Sequence, residues 1–292
     1  MNQNKNLLYL LWSAAIVICV VLSILALGFS ACSKQDGGEE KPKESGGFTV
    51  ITAPPESAAP AETGETPAEE TPTPPAETPA QSASVRLGET PDAGRDYLDR
   101  IIFLGDSTTY GIGVYYDYGF TELCPASQVW TPASGTLTLS YYNIATIVYP
   151  ATKEEISIED AVKRAKPEIM VITLGVNGVS FMDEEWFIRD YTALVQLIQA
   201  ASPDTKIILN SIYPVARSYK YQKDINNDKI NAANGWVERV AESTGVRFLN
   251  SRECLVGADG YLPESSQNGD GLHLTGEAFT TVMQYIRTHA YQ

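Results

Sequence analysis

The strongest pattern in the chain is a series of short apolar runs separated by stretches of helical periodicity. Runs rich in Ile, Val and Leu predict five buried strands, at residues 100–105, 144–150, 168–175, 206–212 and 246–250. Between and after them, apolar residues recur at one-face helical spacing over residues 187–198, 230–241 and 279–286. This alternation predicts an α/β domain with a parallel sheet and helices on both sides.

The first residues show a different pattern, because residues 7–29 carry no charge. About 20 apolar residues suffice to cross a bilayer, so residues 1–32 are interpreted as a signal or anchor segment. The run ends in LGFSAC, which resembles a bacterial lipobox with Cys32 as the lipidated residue. A lipoprotein signal and an uncleaved transmembrane helix both remain open. Either one places the rest of the chain on the outer face of the bacterial cytoplasmic membrane.

Residues 33–95 are rich in Pro, Glu, Thr and Ala and have few large apolar side chains. Such a segment cannot bury enough surface to offset its ordering entropy. We therefore predict a disordered linker over residues 33–95 and a folded domain over residues 96–292.

Charge and composition exclude several functions. The formal net charge of −15 argues against a nucleic-acid partner, which needs a basic surface. The chain has two histidines and no close Cys/His cluster, so no metal site is expected. It also has no phosphate-binding loop motif, so no nucleotide cofactor is expected. Cys124 and Cys254 form either a disulfide or two ordinary thiols, and the sequence leaves both open.

Polar residues follow three of the predicted strands. Ser107 follows the first strand, Asn177 follows the third, and Asp270 and His273 lie in the loop after the fifth. Ligands bind beyond the carboxyl ends of the strands in open parallel sheets. We therefore expect these four side chains to meet at one edge of the sheet.

The same residues carry a family resemblance. The motifs GDS at 105–107, GVN at 175–177 and DGLH at 270–273 resemble those of the SGNH (GDSL) hydrolases in order and approximate spacing. The resemblance implies a flavodoxin-like, three-layer α/β/α sandwich with a five-stranded, mostly parallel sheet. It also implies a Ser–His–Asp ester hydrolase that needs no cofactor.

The resemblance assigns a role to each motif, and each role has a physical reason. Ser107 is the nucleophile, His273 is the base that takes its proton, and Asp270 fixes the tautomer of the imidazole. The other histidine, His289, lies near the end of the last helix.

The oxyanion donors are predicted by the same resemblance. They are the backbone N–H of Ser107 and the side-chain amide of Asn177. The family's third donor is a glycine after the second strand. Gly135 is the nearest candidate, although it precedes the strand predicted at 144–150, and the N–H of Ala151 or Thr152 is the alternative.

The substrate is indicated by aromatic residues in two loops expected to border the site. Aromatic rings with polar tips suit sugar faces as well as apolar acyl chains. The residues are Tyr110, Tyr115, Tyr116, Tyr118, Tyr213, Tyr219 and Tyr221. We expect a membrane-tethered serine esterase that removes small acyl groups, acetyl especially, from carbohydrate. The alternatives are a lysophospholipase or short-chain lipid esterase, and a non-catalytic carbohydrate-binding protein on the same fold.

Overall fold

The fold is given by a computed structural model that describes residues 84–292. The predicted anchor at 1–32, the lipidation candidate Cys32 and the linker up to residue 83 lie outside the described residues. Within residues 84–292, no helix is both long enough and apolar enough to cross a bilayer.

Six helices and seven strands lie along this part of the chain. In chain order they are α1 (Gly94–Leu98), β1 (Ile101–Gly105), α2 (Ser107–Asp117), β2 (Val129–Trp130), β3 (Thr146–Val148), β4 (Glu155–Ser157), α3 (Ile158–Ala165), β5 (Ile169–Thr173), α4 (Glu184–Ala201), β6 (Lys206–Asn210), α5 (Asn227–Thr244), β7 (Arg247–Leu249) and α6 (Gly276–Thr288). Short 3₁₀ turns occupy Ala126–Gln128, Leu139–Tyr141, Ser251–Cys254 and Glu264–Ser266.

Five strands form the central sheet in the order β2-β1-β5-β6-β7, and every neighbouring pair is parallel. Successive residues of a strand face opposite sides of a sheet. In β1, Phe103 belongs to the apolar cluster that includes residues of α1, α2 and α6, whereas Leu104 belongs to the cluster that includes residues of α3, α4 and α5. Two apolar cores therefore flank the sheet, and the expected three-layer α/β/α sandwich is confirmed.

The prediction for the second strand is wrong. Residues 144–150 do not enter the sheet, because their ordered part, β3, pairs antiparallel with β4 in a separate hairpin. The second strand of the sheet is β2, which has only two residues and shows no recognisable apolar run. The hairpin continues from the end of β2, where the Val148 N–H donates to the Thr131 carbonyl at 3.0 Å.

Residues 84–95, which their composition assigns to the linker, contact the domain in this structure. The Phe248 N–H of β7 donates to the Val85 carbonyl at 2.9 Å, and the Leu87 N–H donates to the Phe248 carbonyl at 2.8 Å. The Thr90 N–H donates to the Thr288 carbonyl at the end of α6. This segment therefore adds backbone hydrogen bonds to the edge strand and to the last helix.

The two cysteines of the described domain are free thiols. Cys124 is buried and Cys254 is partly buried. Burial raises the pKa of each thiol to about 12, so both are weak nucleophiles at neutral pH. Of the two possibilities that the sequence leaves open, the structure has the unpaired one.

Candidate active site

Ser107 lies where the chain turns from β1 into α2, at the carboxyl edge of the sheet. It is the first residue of α2, and Asp106 caps this helix by accepting a hydrogen bond from the Thr108 N–H at 2.9 Å. The turn requires glycine at position 105. A Cβ there would lie 2.7 Å from the Thr173 carbonyl oxygen and even closer to the Thr109 side chain. The helix N-terminus next to Ser107 favours negative charge.

The structure brings Ser107, His273 and Asp270 into one hydrogen-bonded row. The Nε2 atom of His273 lies 2.9 Å from the Ser107 Oγ. Its Nδ1 atom lies 2.6 Å from the Asp270 Oδ2. These distances match a nucleophile, a base within hydrogen-bond reach of it, and a carboxylate that orients the base.

Asp270 is held as a carboxylate by its own loop. Its Oδ1 accepts the N–H of Leu272 at 2.8 Å and of His273 at 2.9 Å, while Oδ2 faces the imidazole. Burial works to raise the pKa of Asp270, but the hydrogen bonds from the His273 ring and from these N–H groups outweigh it. The pKa therefore lies below its ordinary value. The group facing His273 is charged at neutral pH.

Asn177 lies at the same edge, after β5. Its Nδ2 donates to the Asp106 Oδ2 at 3.2 Å and to the Leu137 carbonyl at 3.1 Å. The amide is thus fixed between the residue before Ser107 and the loop that follows β2. The fourth predicted site residue therefore joins the other three.

Asp106 lies beside Ser107 and Asn177, although no sequence motif predicts a role for it. It is fully buried, and its carboxylate accepts hydrogen bonds from Thr108 and Asn177. Burial raises its pKa to about 6, although the Thr108 hydrogen bonds and the nearby His273 act in the opposite direction. The available signal was its position: an Asp directly after a buried strand and before Ser-Thr-Thr is a strong helix cap.

The structure places Gly135, the third oxyanion donor predicted from the sequence, after the second strand of the sheet and not before it. Gly135 follows the second sheet strand, since that strand is β2 and not residues 144–150. Its N–H, however, donates to the Pro132 carbonyl at 2.8 Å within a turn. The N–H of Thr152, one of the two alternatives beside Ala151, donates to the Tyr149 carbonyl at 3.3 Å in the β3–β4 turn. In this structure the N–H groups of Gly135 and Thr152 therefore each donate within their own turn, and the third donor stays a prediction.

The aromatic residues divide into buried and exposed ones. Tyr213 and Tyr219 belong to the core, and burial raises the pKa of Tyr219 to about 12. Tyr221 is 43% exposed and packs edge-to-face on Tyr219, with ring centroids 5.9 Å apart. Phe181 is not among the aromatic residues predicted from the sequence. It is 51% exposed and packs edge-to-face on Trp186, with ring centroids 5.6 Å apart.

Two further expectations concern groups outside this row. His289 stacks on the Tyr285 ring at the end of α6, with ring centroids 3.8 Å apart. Among the described residues, no group of three or more His, Cys, Asp or Glu side chains is placed to hold a metal ion.

A buried parallel sheet that delivers a serine, a histidine and an aspartate to its carboxyl edge defines the class of α/β serine hydrolases. The profile of the GDSL-like lipase/acylhydrolase family matches residues 103–279, and the chain belongs to that family. It is therefore a serine ester hydrolase. No curated protein matches the chain in sequence.

Solved structures that the chain matches include a lipase and two esterases. A GDSL-like lipase from Bacteroides thetaiotaomicron is 21% identical, with a TM-score of 0.46 over 64% of this chain and 84% of that one. A family 3 carbohydrate esterase from Talaromyces cellulolyticus is 18% identical, with a TM-score of 0.42 over 64% of this chain and 93% of that one. A variant of an acetyl-xylooligosaccharide esterase from Geobacillus is 15% identical, with a TM-score of 0.43 over 66% and 94%.

Proposed function

We propose that Ser107, His273 and Asp270 form the catalytic triad of this hydrolase. The observation that carries the proposal is the pair of contacts of His273, to the Ser107 Oγ at 2.9 Å and to the Asp270 Oδ2 at 2.6 Å. The Nδ1–H donates to Asp270, which leaves Nε2 free of its proton and able to accept the serine proton.

The reaction proceeds in two halves. The Ser107 Oγ attacks the ester carbonyl carbon while its proton passes to the His273 Nε2. Collapse of the tetrahedral intermediate breaks the bond to the alkoxide, which leaves with that proton as an alcohol. Water then attacks the acyl-enzyme, gives its proton to Nε2, and releases the carboxylic acid as Ser107 recovers its proton.

The oxyanion is stabilised by the Ser107 N–H at the start of α2 and by the Asn177 amide. Asn177 meets Asp106 and the Leu137 carbonyl with its two hydrogens in the structure. In the reaction, one of these hydrogens turns to the oxyanion. A hydrogen bond to a neutral carbonyl is weaker than one to a carboxylate, so the bond to the Leu137 carbonyl is the one that we expect to be exchanged, while Asp106 keeps the amide in place.

The preferred substrate is a carbohydrate that carries small acyl groups, acetyl especially. Phe181 lies one turn after Asn177, and its N–H donates to the Gly178 carbonyl at 3.1 Å. Tyr221 packs on Tyr219, whose backbone lies against Gly271 in the loop that carries His273. Both rings are exposed, and each packs edge-to-face with a second aromatic ring. An exposed ring that is fixed in this way can stack on the face of a sugar.

The second candidate substrate is a lysophospholipid or short-chain lipid ester, because the exposed Ile144 adds an aliphatic surface to the loop after β2. The third, a non-catalytic carbohydrate-binding protein, is disfavoured by the complete hydrogen-bonded row at Ser107. The enzyme is further proposed to work on the outer face of the bacterial membrane, tethered through residues 1–32, with Cys32 lipidated or the segment retained as a helix. The mass of the mature N-terminus separates these forms, since only the first carries a diacylglycerol.

Ser107→Ala tests the triad. The variant should keep the fold and lose both aryl acetate hydrolysis and labelling by a fluorophosphonate, which reacts with an activated serine. Ser180→Ala is the matched control, because Ser180 is an exposed serine close to Asn177 in sequence. An active Ser107→Ala variant would remove Ser107 from the reaction.

Acetate release from O-acetylated xylan and peptidoglycan, measured beside hydrolysis of a lysophospholipid, tests the substrate. Phe181→Ala and Tyr221→Ala should lower kcat/KM on the acetylated polysaccharide and leave the rate on aryl acetate unchanged. Preferential hydrolysis of the lysophospholipid would support the lipid esterase instead.

A further inference from the structure

The loop 268–273, which carries Asp270 and His273, has an unusual backbone. It is closed at its base by an antiparallel bridge between Gln267 and Leu274 and by the Asn268 N–H, which donates to the His273 carbonyl at 2.9 Å. Two of its glycines have left-handed φ angles, +118° at Gly269 and +82° at Gly271. A backbone of this shape cannot satisfy its own N–H groups by a regular ladder.

The side chain of Gln267 supplies the missing acceptor. Its Oε1 accepts the Gly269 N–H at 2.5 Å and the Gly271 N–H at 2.9 Å. These are the N–H groups on either side of Asp270. The next two N–H groups of the loop, of Leu272 and His273, go to the Asp270 carboxylate. One amide oxygen therefore fixes the backbone from which Asp270 reaches the imidazole.

Gln267 is itself fixed by a neighbouring acid. Its Nε2 donates to the Glu264 Oε2 at 3.1 Å. The Glu264 carboxylate also accepts the Ser218 N–H at 3.0 Å and the Ser218 hydroxyl at 2.6 Å. Hydrogen bonds from Ser218 lower the pKa of Glu264, so the acceptor is charged at neutral pH. The chain of contacts runs from the loop after β6, through Glu264 and Gln267, to the backbone around Asp270.

The loop after β6 also touches this backbone directly. The Ala216 N–H donates to the Gly271 carbonyl at 2.8 Å. A Cβ at position 271 would lie 2.6 Å from the Tyr219 Cα, so only glycine permits this approach. With one side of the loop fixed against Tyr219, the orientation of Asp270 depends on what holds the other side, and that contact is Gln267.

We infer that Gln267 is a positioning residue of the reaction, acting through Asp270 and His273 and held in place by Glu264 and Ser218. The inference rests on the proposed catalytic triad. The side chain of Gln267 forms hydrogen bonds with Glu264 and with the backbone of Gly269 and Gly271, so it acts on the triad through the loop. Its effect is to keep the Asp270 carboxylate and the His273 ring in the geometry that proton transfer needs.

Gln267→Met tests this inference, because it keeps the length of the side chain and removes its hydrogen bonds. We expect kcat for aryl acetate to fall about 10- to 100-fold with little change in KM, since displacements of catalytic groups by about 1 Å have effects of this size. Gln199→Met is the matched control: it removes the hydrogen bond from a glutamine Nε2 to the Thr244 carbonyl at 3.0 Å, between α4 and α5. The control should keep the wild-type kcat.

A charge swap provides the rescue. Gln267→Glu alone places a second carboxylate beside Glu264 and should lower kcat. In the double variant Glu264→Gln/Gln267→Glu, the new carboxylate still accepts hydrogen bonds from the N–H groups of Gly269 and Gly271. It also accepts a hydrogen bond from the side-chain amide of the new glutamine. We expect kcat to return to within about threefold of wild type, because the contact is restored with its polarity reversed.

The outcomes separate the inference from the triad on which it rests. A Gln267→Met variant with wild-type kcat and KM, measured beside an inactive Ser107→Ala variant, overturns the positioning role and leaves the triad intact. An active Ser107→Ala variant overturns the triad itself. A low kcat that the swap does not restore, in a variant with wild-type thermal stability, also overturns the positioning role.

Discussion

The buried carboxylate of Asp106 makes the fold less stable at neutral pH than it would be with a neutral group there. Burial raises its pKa from an ordinary 3.8 to about 6. The folded state therefore binds a proton more tightly than the unfolded state. Stability contributed by the protonated acid is fully present below about pH 3.8 and is lost as the pH rises towards 6. Since one pKa unit corresponds to about 1.36 kcal/mol, the penalty at neutral pH is about 3 kcal/mol.

Asp106→Asn removes this penalty. At about pH 8 the ionised wild type carries the full 3 kcal/mol or so, whereas at about pH 4.5 it carries only about 1 kcal/mol, so the relative stability of the variant should improve by about 2 kcal/mol between the two conditions. Hydrogen bonds lost or gained on substitution contribute equally at both pH values and cancel from this difference. The other titratable groups near Asp106 are His273, Tyr191 and Tyr213, and they are the same in both proteins.

Urea unfolding of both proteins at the two pH values measures the effect. Asp117→Asn, which removes an exposed carboxylate at the end of the same helix, is the control for the general loss of one negative charge. A relative stability for Asp106→Asn that is the same at about pH 4.5 and about pH 8 would refute the reasoning, because a charge that is penalised by burial must show itself as a pH-dependent term.

Activity should change in the opposite direction. When the amide oxygen introduced by Asp106→Asn accepts the hydrogen bonds of Thr108, its NH₂ group turns towards the Asn177 Nδ2, which lies 3.2 Å from the present Asp106 Oδ2. Two donors then face each other, and Asn177 is displaced from the oxyanion. A variant that is more stable at neutral pH and slower by about 10- to 100-fold is the expected combination.

Three further predictions address the triad, the oxyanion donor and the domain boundary. Asn177→Ala should lower kcat by about two to three decades with little change in KM, and an unchanged kcat would remove it from the site. Asp270→Asn should lower the rate by about four decades with the fold retained by circular dichroism, because the amide favours the wrong tautomer of His273; near-wild-type activity would make Asp270 a turn residue only. A chain starting at residue 96 should melt at a lower temperature than one starting at residue 84, because it lacks the hydrogen bonds of Val85 and Leu87 to Phe248; equal melting temperatures would show that residues 84–95 add nothing.

Most of the sheet could be predicted because its central strands are covered on both faces. β5 and β6 are almost entirely buried, so their sequences are continuous apolar runs with little else to match. β2 could not be predicted in this way. It has two residues at the edge of the sheet, and its pairing with β1 depends on tertiary contacts that leave no periodic signal. The apolar run at residues 144–150 has the stronger local pattern, so the sequence predicts this run in the sheet instead of β2.

The residues of the site likewise divide into those that a local sequence pattern predicts and those that depend on tertiary contacts. Ser107, Asn177, Asp270 and His273 were predictable because each follows a strand and carries a chemically distinctive side chain. Asp106 and Gln267 were not, because their importance lies in which N–H groups they accept. Such contacts depend on backbone angles, as at Gly269 and Gly271, that a sequence pattern does not specify.

Asp270 and Asp106 both support the active site, but their negative charges have opposite effects on the stability of the fold. Asp270 is a carboxylate whose hydrogen bonds outweigh its burial, so its charge favours the folded state. Asp106 is a carboxylate whose burial outweighs its hydrogen bonds, so its charge opposes folding. A residue that only capped α2 could sit at the surface, as Asp183 does at the start of α4. The burial of Asp106 is therefore explained by its second contact, the amide of Asn177, rather than by the helix that it caps.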